Sequence, residues 1–425
     1  MNAPATAGEP ASGHPASGQP PSGQPASGRP PRVALVLALL ATLGPYTIDA
    51  FFPSMRAMAA EFGISYFQVQ QTLTVYLVPY ACMSLLHGSL ADAVGRRRVM
   101  LAGLLFYALA SAGCALAPGF GALLFFRAMQ GMVGGAGVII GRAVVRDCYS
   151  GAQAQRVMSA ITIMFSVGPA LAPVIGGWVH VWLGWRAVFA SMALYGLVLA
   201  LLVLRKLPET LPVAQRTPLQ FGALVRNMLG VARHREFLLL TAASGLCFVA
   251  MQIYIGSAPA IILDHWHGSE TGFAMLTLPI VCGYALGALA SGRLAGHIPP
   301  SRQANYGYTL VLATTGAMLG LQTMLGRPPV LAQQLLLTVT AFGLQLLFPI
   351  ITLRILDLFS HARGAATAAN TFVLLLLAAL MMGALAPWLS VSMQRLAFTA
   401  FVLNSAGWCV WRYARHYQRR LAAAG

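Results

Sequence analysis

Charged residues are scarce in this chain. Asp, Glu, Lys and Arg together make up only 9% of its 425 residues, whereas 58% are hydrophobic and the mean hydropathy is +0.71. A soluble domain of this length needs a polar surface that such a composition cannot supply. The composition therefore excludes a soluble globular protein and predicts a surface that faces lipid.

Patterns that hold metals or carry out covalent chemistry are missing as well. The six cysteines show no C-x-x-C or zinc-type spacing and lie within or at the ends of apolar runs, which indicates small packing residues. His265 and His267 stand two residues apart, a spacing that does not favour a metal site. We find no nucleophile constellation and no phosphate-binding loop, so we expect no enzymatic activity, no cofactor and no bound metal.

Apolar runs of the length needed to cross a membrane, about 20 residues for about 30 Å of hydrocarbon, recur along the sequence. We predict twelve membrane-spanning helices, at residues 33–53, 67–91, 98–118, 122–143, 155–180, 187–204, 237–262, 271–296, 305–325, 330–353, 365–390 and 394–412. The expected fold class is an all-α integral membrane protein with twelve transmembrane helices.

The sequence is divided into two halves by its longest polar connection, residues 206–236. Two short patterns recur in the second half at nearly equal offsets: DCYS at 147–150 returns as DLFS at 357–360, and Gly88 and Leu90 recur as Gly292 and Leu294. Duplicated halves place a substrate site near the membrane midplane between them. We therefore predict two six-helix bundles, 33–205 and 237–412, joined by a cytoplasmic loop.

Both termini are predicted to be cytoplasmic. Residues 1–32 contain tandem Pro/Ser/Gly repeats with nothing to bury, which indicates a disordered tail, and residues 413–425 form a basic tail. With the N-terminus inside, 22 of the 27 Lys and Arg fall in cytoplasmic segments or at the cytoplasmic ends of the predicted spans, as in other membrane proteins. The net charge of +17 is thus expected to meet anionic membrane lipid rather than nucleic acid.

Asp49 is the only one of the ten acidic residues that falls inside a predicted span. Ionisable groups are costly in hydrocarbon and mark ion or substrate pathways, and a desolvated carboxyl group can be poised to bind and release a proton. Arg127 is the matching cation, since Gly131 and Gly134 on its face let a neighbouring helix approach. Two structural alternatives stay open: Asp49 reaches water or caps a bend before Pro53, and Arg127 joins helix ends to backbone carbonyls.

The string GSLADAVGRRRVM, residues 88–100, connects two apolar helices. Its three arginines cannot lie in hydrocarbon and place the connection in the cytoplasm; they are Arg96, Arg97 and Arg98. Asp92 is their obvious local partner. Gly88 is expected to let two helices approach closely, and Gly95 to turn the chain.

This string resembles the loop between the second and third helices of the major facilitator superfamily, whose pattern is G-x-L-x-D-x-x-G-R-R/K. The strings D-x-x-x-P at 49–53 and R-x-x-Q-G at 127–131 resemble patterns of the first and fourth helices in that superfamily. The resemblance implies that Asp49 and Arg127 take part in proton coupling. It also implies that Asp92 and the arginines form a gate on the cytoplasmic side.

The fifth span contains GPALAPVIGG, residues 168–177, with small residues at every fourth position that predict close helix packing. Two prolines within it favour bending. The string resembles the antiporter motif of drug/proton exporters, although a packing face with no bearing on transport direction is an open alternative. The residues that carry this resemblance are Gly168, Pro169, Pro173, Gly176 and Gly177.

Together with GRAVVRD at 141–147, GWRAVF at 184–189 and PET at 208–210, these strings most resemble the bicyclomycin and chloramphenicol resistance branch of drug/proton antiporters. The resemblance implies a transporter of the bacterial inner membrane that exports small hydrophobic or amphipathic compounds in exchange for protons, by alternating access. We expect a monomer, although the sequence does not determine the oligomeric state.

Uncharged candidates for the substrate cavity are Tyr46, Gln252, Gln345 and Asn370, each of which could instead only join helices. Two alternative functions stay open. One is export or uptake of a metabolite such as a sugar, a nucleoside or an amino acid. The other is a membrane receptor that does not transport.

Overall fold

The computed structural model describes residues 31–359 and 363–424, and helices dominate throughout. We number the main helices in chain order. They are α1 Arg32–Phe62, α2 Tyr66–Ser84 with its continuation His87–Val94, α3 Arg96–Ala115, α4 Phe120–Cys148, α5 Gly151–Leu183, α6 Trp185–Lys206, α7 Phe221–Arg233, α8 Arg235–Gly256, α9 Ala274–Leu294, α10 Pro300–Leu325, α11 Val330–Leu358, α12 Arg363–Leu389 and α13 Met393–Ala424.

Ten of these helices are long and apolar enough to cross a membrane, and the two parts of α2, which meet at an angle of 52°, form an eleventh candidate. The helix α13 covers the twelfth predicted span, residues 394–412. It is 32 residues long, but it is more polar because four arginines lie between residues 412 and 420. The prediction of an all-α membrane protein is confirmed.

The helix α7 was not predicted from the sequence, because it lies inside the segment 206–236 that was expected to be a loop. It has 13 residues, too few to cross a membrane. Only His234, with an extended backbone, separates it from α8, so the chain turns sharply between the two helices.

The helix α2 begins with a capping box and contains a break. The hydroxyl of Ser65 accepts from the backbone N–H of Gln68 at 3.3 Å, and the side-chain oxygen of Gln68 accepts from the N–H of Ser65 at 2.9 Å. Beyond the break, Nε2 of His87 donates to the carbonyl oxygen of Met132 at 3.1 Å. Met132 lies in an irregular turn of α4, so this hydrogen bond joins the breaks of two neighbouring helices.

In the first half, α1 packs against α4, α5 and α6, and α3 packs along α6. Glycines allow the closest approach. A Cβ added to Gly176 would lie 1.7 Å from the carbonyl oxygen of Ala50, and one added to Gly168 would lie 2.8 Å from Cβ of Pro45. The predicted small-residue face of α5 is therefore a packing surface for α1.

In the second half, α8 packs against α13, and α11 packs against α9 and α10. The two halves meet along two pairs of helices, α2 with α12 and α5 with α9. We call the end of the molecule where α2 passes into α3, and where α6 ends and α8 begins, the arginine-rich end; the other is the opposite end.

Among the described residues, the side-chain hydrogen bonds and ion pairs that join the two halves all lie at or towards the opposite end. Arg56 forms an ion pair with Asp264. Closer to the membrane interior, Gln71 Nε2 donates to the carbonyl oxygen of Gly383 at 2.7 Å. His180 Nε2 lies 3.4 Å from Glu270 Oε2, and Gln70 and Thr74 also donate to backbone carbonyls of the second half. The two halves are thus closed against each other at the opposite end.

Candidate functional site

A cavity of about 440 Å³ lies between the two halves. Helices α1, α2 and α5 line it from the first half, and α8, α9, α11 and α12 line it from the second. Its wall is mostly apolar and includes Phe248, Leu276 and Phe348. Asp49 is the only charged side chain among the described residues that line it. Such a cavity suits a compound with a largely hydrophobic body.

Asp49 lies at the end of a regular helical segment of α1, Leu43–Asp49, just before the chain turns into Phe52–Ser54. Its side chain is 5% exposed and has no hydrogen-bond or ion-pair partner among the described residues. The alternative in which Asp49 caps a bend before Pro53 is therefore not supported by a hydrogen bond of its side chain. Because an isolated carboxylate is costly to bury, the site favours either a bound proton or a cationic group nearby.

Arg127 is completely buried, and its guanidinium lies between two aromatic rings. Its Cζ is 4.5 Å from the ring centre of Phe51 and 4.6 Å from that of Tyr76. It also donates three hydrogen bonds, to the carbonyl oxygen of Thr47 at 3.3 Å, the carbonyl oxygen of Thr72 at 3.4 Å and Oε1 of Gln130 at 2.9 Å. These contacts join α1, α2 and α4 through backbone carbonyls.

No ion pair forms between Arg127 and Asp49 in the part of the chain that the structure describes, and Arg127 does not line the cavity. The two groups are linked only through α1, because Thr47, whose carbonyl accepts from Arg127, lies two residues before Asp49. The geometry thus agrees with the structural alternative for Arg127.

Three of the four predicted uncharged residues line the cavity: Gln252, Gln345 and Asn370. The side-chain oxygen of Asn370 accepts from the hydroxyl of Thr241 at 3.1 Å, so one face of its amide is already engaged. These residues place hydrogen-bonding groups on the wall contributed by the second half.

The prediction that Tyr46 faces the cavity is wrong. Its hydroxyl is 2.9 Å from the hydroxyl of Ser191, and its ring packs edge-on against Tyr195 with the ring centres 5.5 Å apart. Both partners lie on α6. One turn of α1 separates Tyr46 from Asp49. The side chain of Tyr46 packs against α6, whereas that of Asp49 lines the cavity.

Two tyrosines that were not predicted line the cavity, Tyr80 from α2 and Tyr284 from α9. Neither hydroxyl has a hydrogen-bond partner among the described residues. The two positions are 204 residues apart, which is also the separation of Gly88 and Gly292. The repeat between the two halves could therefore have identified this pair, because the two tyrosines lie at equivalent positions of the repeat.

At the arginine-rich end, the predicted gate string surrounds Arg96. Its guanidinium forms an ion pair with Asp147 at the end of α4 and lies 3.4 Å from Asp92. Its backbone N–H, the first of α3, donates to Oε1 of Glu209 at 3.0 Å. Asp92 is thus one of three acids around this arginine, and the other two come from distant parts of the sequence.

The two glycines and the two other arginines of the string have different surroundings. Gly95 has φ 113°, a conformation that favours glycine, and a Cβ there would lie 2.7 Å from Oε2 of Glu209. A Cβ on Gly88 would meet nothing within 4 Å, so the predicted close approach at Gly88 is wrong. Arg97 donates to the carbonyl oxygen of Leu204 at 2.7 Å, and Arg98 is exposed.

The antiporter string contributes to both the cavity and the contact between the halves. Pro169 lines the cavity, and α5 continues as one helix through Pro169 and Pro173. A Cβ on Gly177 would lie 2.5 Å from the carbonyl oxygen of Glu270, which follows α8 in the second half. Gly177 therefore lets the two halves approach closely at the opposite end.

A comparison with family models matches residues 35–382 to the Major Facilitator Superfamily. The chain belongs to this superfamily. The fold agrees: the crystal structure of a D-xylose–proton symporter superimposes with a TM-score of 0.70 at 15% sequence identity, covering 89% of this chain and 97% of that one. Members of the superfamily are transporters rather than enzymes, and this transporter is a multi-pass protein of the bacterial inner membrane.

Two relatives bear on the predicted branch. A bicyclomycin resistance protein homolog of Haemophilus influenzae is 31% identical over 54% of this chain and 58% of its own length. A chloramphenicol resistance protein of Pseudomonas aeruginosa is 33% identical over 60% of this chain and 59% of its own. The chain thus spans less than two thirds of these relatives. Both names are those of the branch that the motifs resemble.

Proposed function

We propose that this transporter exports small hydrophobic or amphipathic compounds in exchange for protons. The observation that carries the proposal is a single carboxyl group, Asp49, without a partner in the wall of a mostly apolar cavity between the two halves. The similarity to bicyclomycin and chloramphenicol resistance proteins supports this class of substrate.

In the proposed cycle, a proton and the substrate compete for the cavity. A compound with a hydrophobic body enters while Asp49 is ionised, and its positive or hydrogen-bonding group lies near the carboxylate. Protonation of Asp49 removes that favourable interaction and releases the compound. One carboxyl group in the cavity matches the exchange of one proton for a neutral or singly charged compound.

Arg127 has a positioning role in this proposal. It binds the carbonyl oxygen of Thr47 and is held between Phe51 and Tyr76, so it fixes the part of α1 that carries Asp49. Its guanidinium reaches neither the cavity nor the carboxyl group. The coupling thus depends on where Arg127 holds the backbone of α1.

The orientation is also a proposal. The arginine-rich end lies in the cytoplasm, as the distribution of basic residues favours, so this structure is closed towards the outside. Asp92 and Arg96 belong to a cluster within the first half here, together with Asp147. When the cytoplasmic side closes, this cluster presents a fixed charged surface to the second half.

The decisive test is a susceptibility panel in an efflux-deficient bacterial host, with chloramphenicol and bicyclomycin among the compounds. We expect resistance that a protonophore abolishes and that Asp49→Asn removes at unchanged membrane abundance. Sugars, nucleosides and amino acids are tested by counterflow in inverted vesicles. Counterflow of one of these, with no change in drug susceptibility, would replace drug export by metabolite transport.

A further inference from the structure

The helix α7 has two apolar strips, and only one of them is covered. Val231 is 2% exposed, and Leu224 and Met228 are partly buried, so this strip faces the protein. The second strip consists of Phe221, Val225 and Leu229, whose exposures are 61%, 40% and 50%. Residues four apart lie on one face of a helix, so these three form a continuous exposed line.

The opposite face of α7 is polar. Arg226, Asn227 and Arg233 are all exposed, and the two arginines border the exposed apolar strip when the sequence is placed on a helix of 3.6 residues per turn. An exposed apolar strip bordered by arginines is typical of helices that lie in the membrane interface. There the strip enters the acyl region, and the arginines remain among the headgroups.

The position of α7 in the fold places this strip at the level of the membrane surface. One residue separates α7 from α8, which begins at Arg235 and crosses the membrane. The same end of the molecule carries Arg205 and Lys206 where α6 ends. The strip therefore lies beside lipid headgroups in a strongly basic region.

We propose that α7 is a lipid-binding element. Phe221, Val225 and Leu229 insert between acyl chains, and Arg226 and Arg233 bind the phosphates of anionic lipids. The sequence predicts that basic residues bind anionic lipid, and this proposal names α7 as one surface where they do so. The proposal does not depend on what the transporter carries.

Binding of lipid to α7 bears on the transport cycle through α12. The helix α7 packs against α12 and α8, and α12 in turn packs against α2 of the first half and contributes Asn370 to the cavity. A lipid that holds α7 in the interface thereby restrains a helix at the boundary between the two halves.

The test places a nitroxide spin label at position 225 or, as a matched control on the polar face, at position 227, in the full chain with its native cysteines replaced. Collision rates with oxygen, which concentrates in the acyl region, and with a water-soluble nickel chelate are compared in reconstituted vesicles. We expect oxygen to dominate at 225 and the nickel chelate at 227. In phosphatidylcholine vesicles that also contain phosphatidylglycerol, the label at 225 should move deeper.

The double variant Arg226→Gln, Arg233→Gln keeps the apolar strip and separates the two parts of the proposal. We expect it to lose the shift caused by phosphatidylglycerol while 225 still favours oxygen. A label at 225 that favours the nickel chelate in both vesicle types would overturn the proposal. So would a label at 225 that neither reagent reaches, because that result shows a covering protein surface instead of lipid.

Discussion

Tyr80 and Tyr284 face one cavity from opposite halves of the transporter, at positions related by the same 204-residue offset that relates Gly88 to Gly292. Their hydroxyl groups are free of hydrogen-bond partners in the described structure, whereas the hydroxyl of Tyr46 is bound to Ser191. The pair thus offers a bound compound one polar contact from each half.

We expect Tyr80→Phe and Tyr284→Phe each to weaken the binding of a substrate with a hydrogen-bonding group by about fivefold, the effect of one lost hydrogen bond of ~1 kcal/mol. Isothermal titration of the purified protein measures the Kd. Tyr46→Phe is the control, because its hydroxyl lies outside the cavity. An equal loss of affinity in all three variants would show a general effect on packing.

Asp49→Asn should remove proton coupling and leave the fold intact, since the amide has nearly the same shape and cannot release a proton. In proteoliposomes with an internal pH dye, substrate should drive proton movement through the wild type but not through the variant. Substrate affinity of the wild type should fall as the pH is lowered, because protonated Asp49 no longer attracts the substrate; that of the variant should not change. Asp49→Glu retains a carboxyl group and should keep some coupling. Gradient-driven efflux by Asp49→Asn at the wild-type rate would refute the exchange mechanism.

Arg127→Met should destabilise the protein by roughly 2 to 4 kcal/mol, because charge-assisted hydrogen bonds and cation–π contacts are lost together. Arg127→Lys should recover only part of this, since an ammonium group cannot reproduce the planar, stacked guanidinium. Thermal unfolding in detergent gives the Tm. Arg98→Gln, on an exposed arginine of the gate string, is the control. A stable but uncoupled Arg127→Met would contradict the positioning role and favour direct participation in proton transfer.

Gly95→Ala should cost roughly 1 to 3 kcal/mol, because the backbone at this position strains any residue with a side chain. The added Cβ would also press on the carboxylate of Glu209. Gly88→Ala provides a matched control in the same string, with open space around the added Cβ. The comparison of their Tm values decides the point, and equal values would show that the turn at Gly95 tolerates a side chain.

Breaking the ion pair between Arg56 and Asp264 should favour opening at the opposite end. Both side chains are about half exposed, so the effect is small, a shift of up to about fivefold in the population of states for a pair worth ~0.2 to 1 kcal/mol. Distances between spin labels on the two halves measure the populations in Arg56→Gln, and the charge-swapped double variant Arg56→Asp, Asp264→Arg should keep the wild-type populations. Glu61 and Arg186 form an ion pair within the first half, and Glu61→Gln should leave the distances unchanged.

Site residues could be predicted from the sequence where only one residue of the required type occurs in the required position. Asp49 could be identified because it is the only acid inside a predicted span, and Gly95 because a turn between two long helices needs a special backbone. Tyr46 was misassigned because its position depends on which side of α1 meets α6, and a helical pattern that is apolar all round does not show this.

The contacts of Arg96 could not be predicted for a different reason. Asp147 and Glu209 lie 51 and 113 residues further along the chain, and only the folded packing of α3, α4 and the central connection brings them to this arginine. The helix α7, in contrast, has a clear amphipathic period. It was missed because the surrounding prolines and arginines indicated a loop.

The bend in α2 divides that helix into two segments with different attachments. The segment before the bend is tied to the second half through Gln71, and the segment after it is tied to α4 through His87. The contacts that close the opposite end and the contact of His87 with α4 therefore belong to different segments of α2. Separating the two halves at the opposite end does not require the contact of His87 to break, so the two ends of the cavity need not change at the same moment.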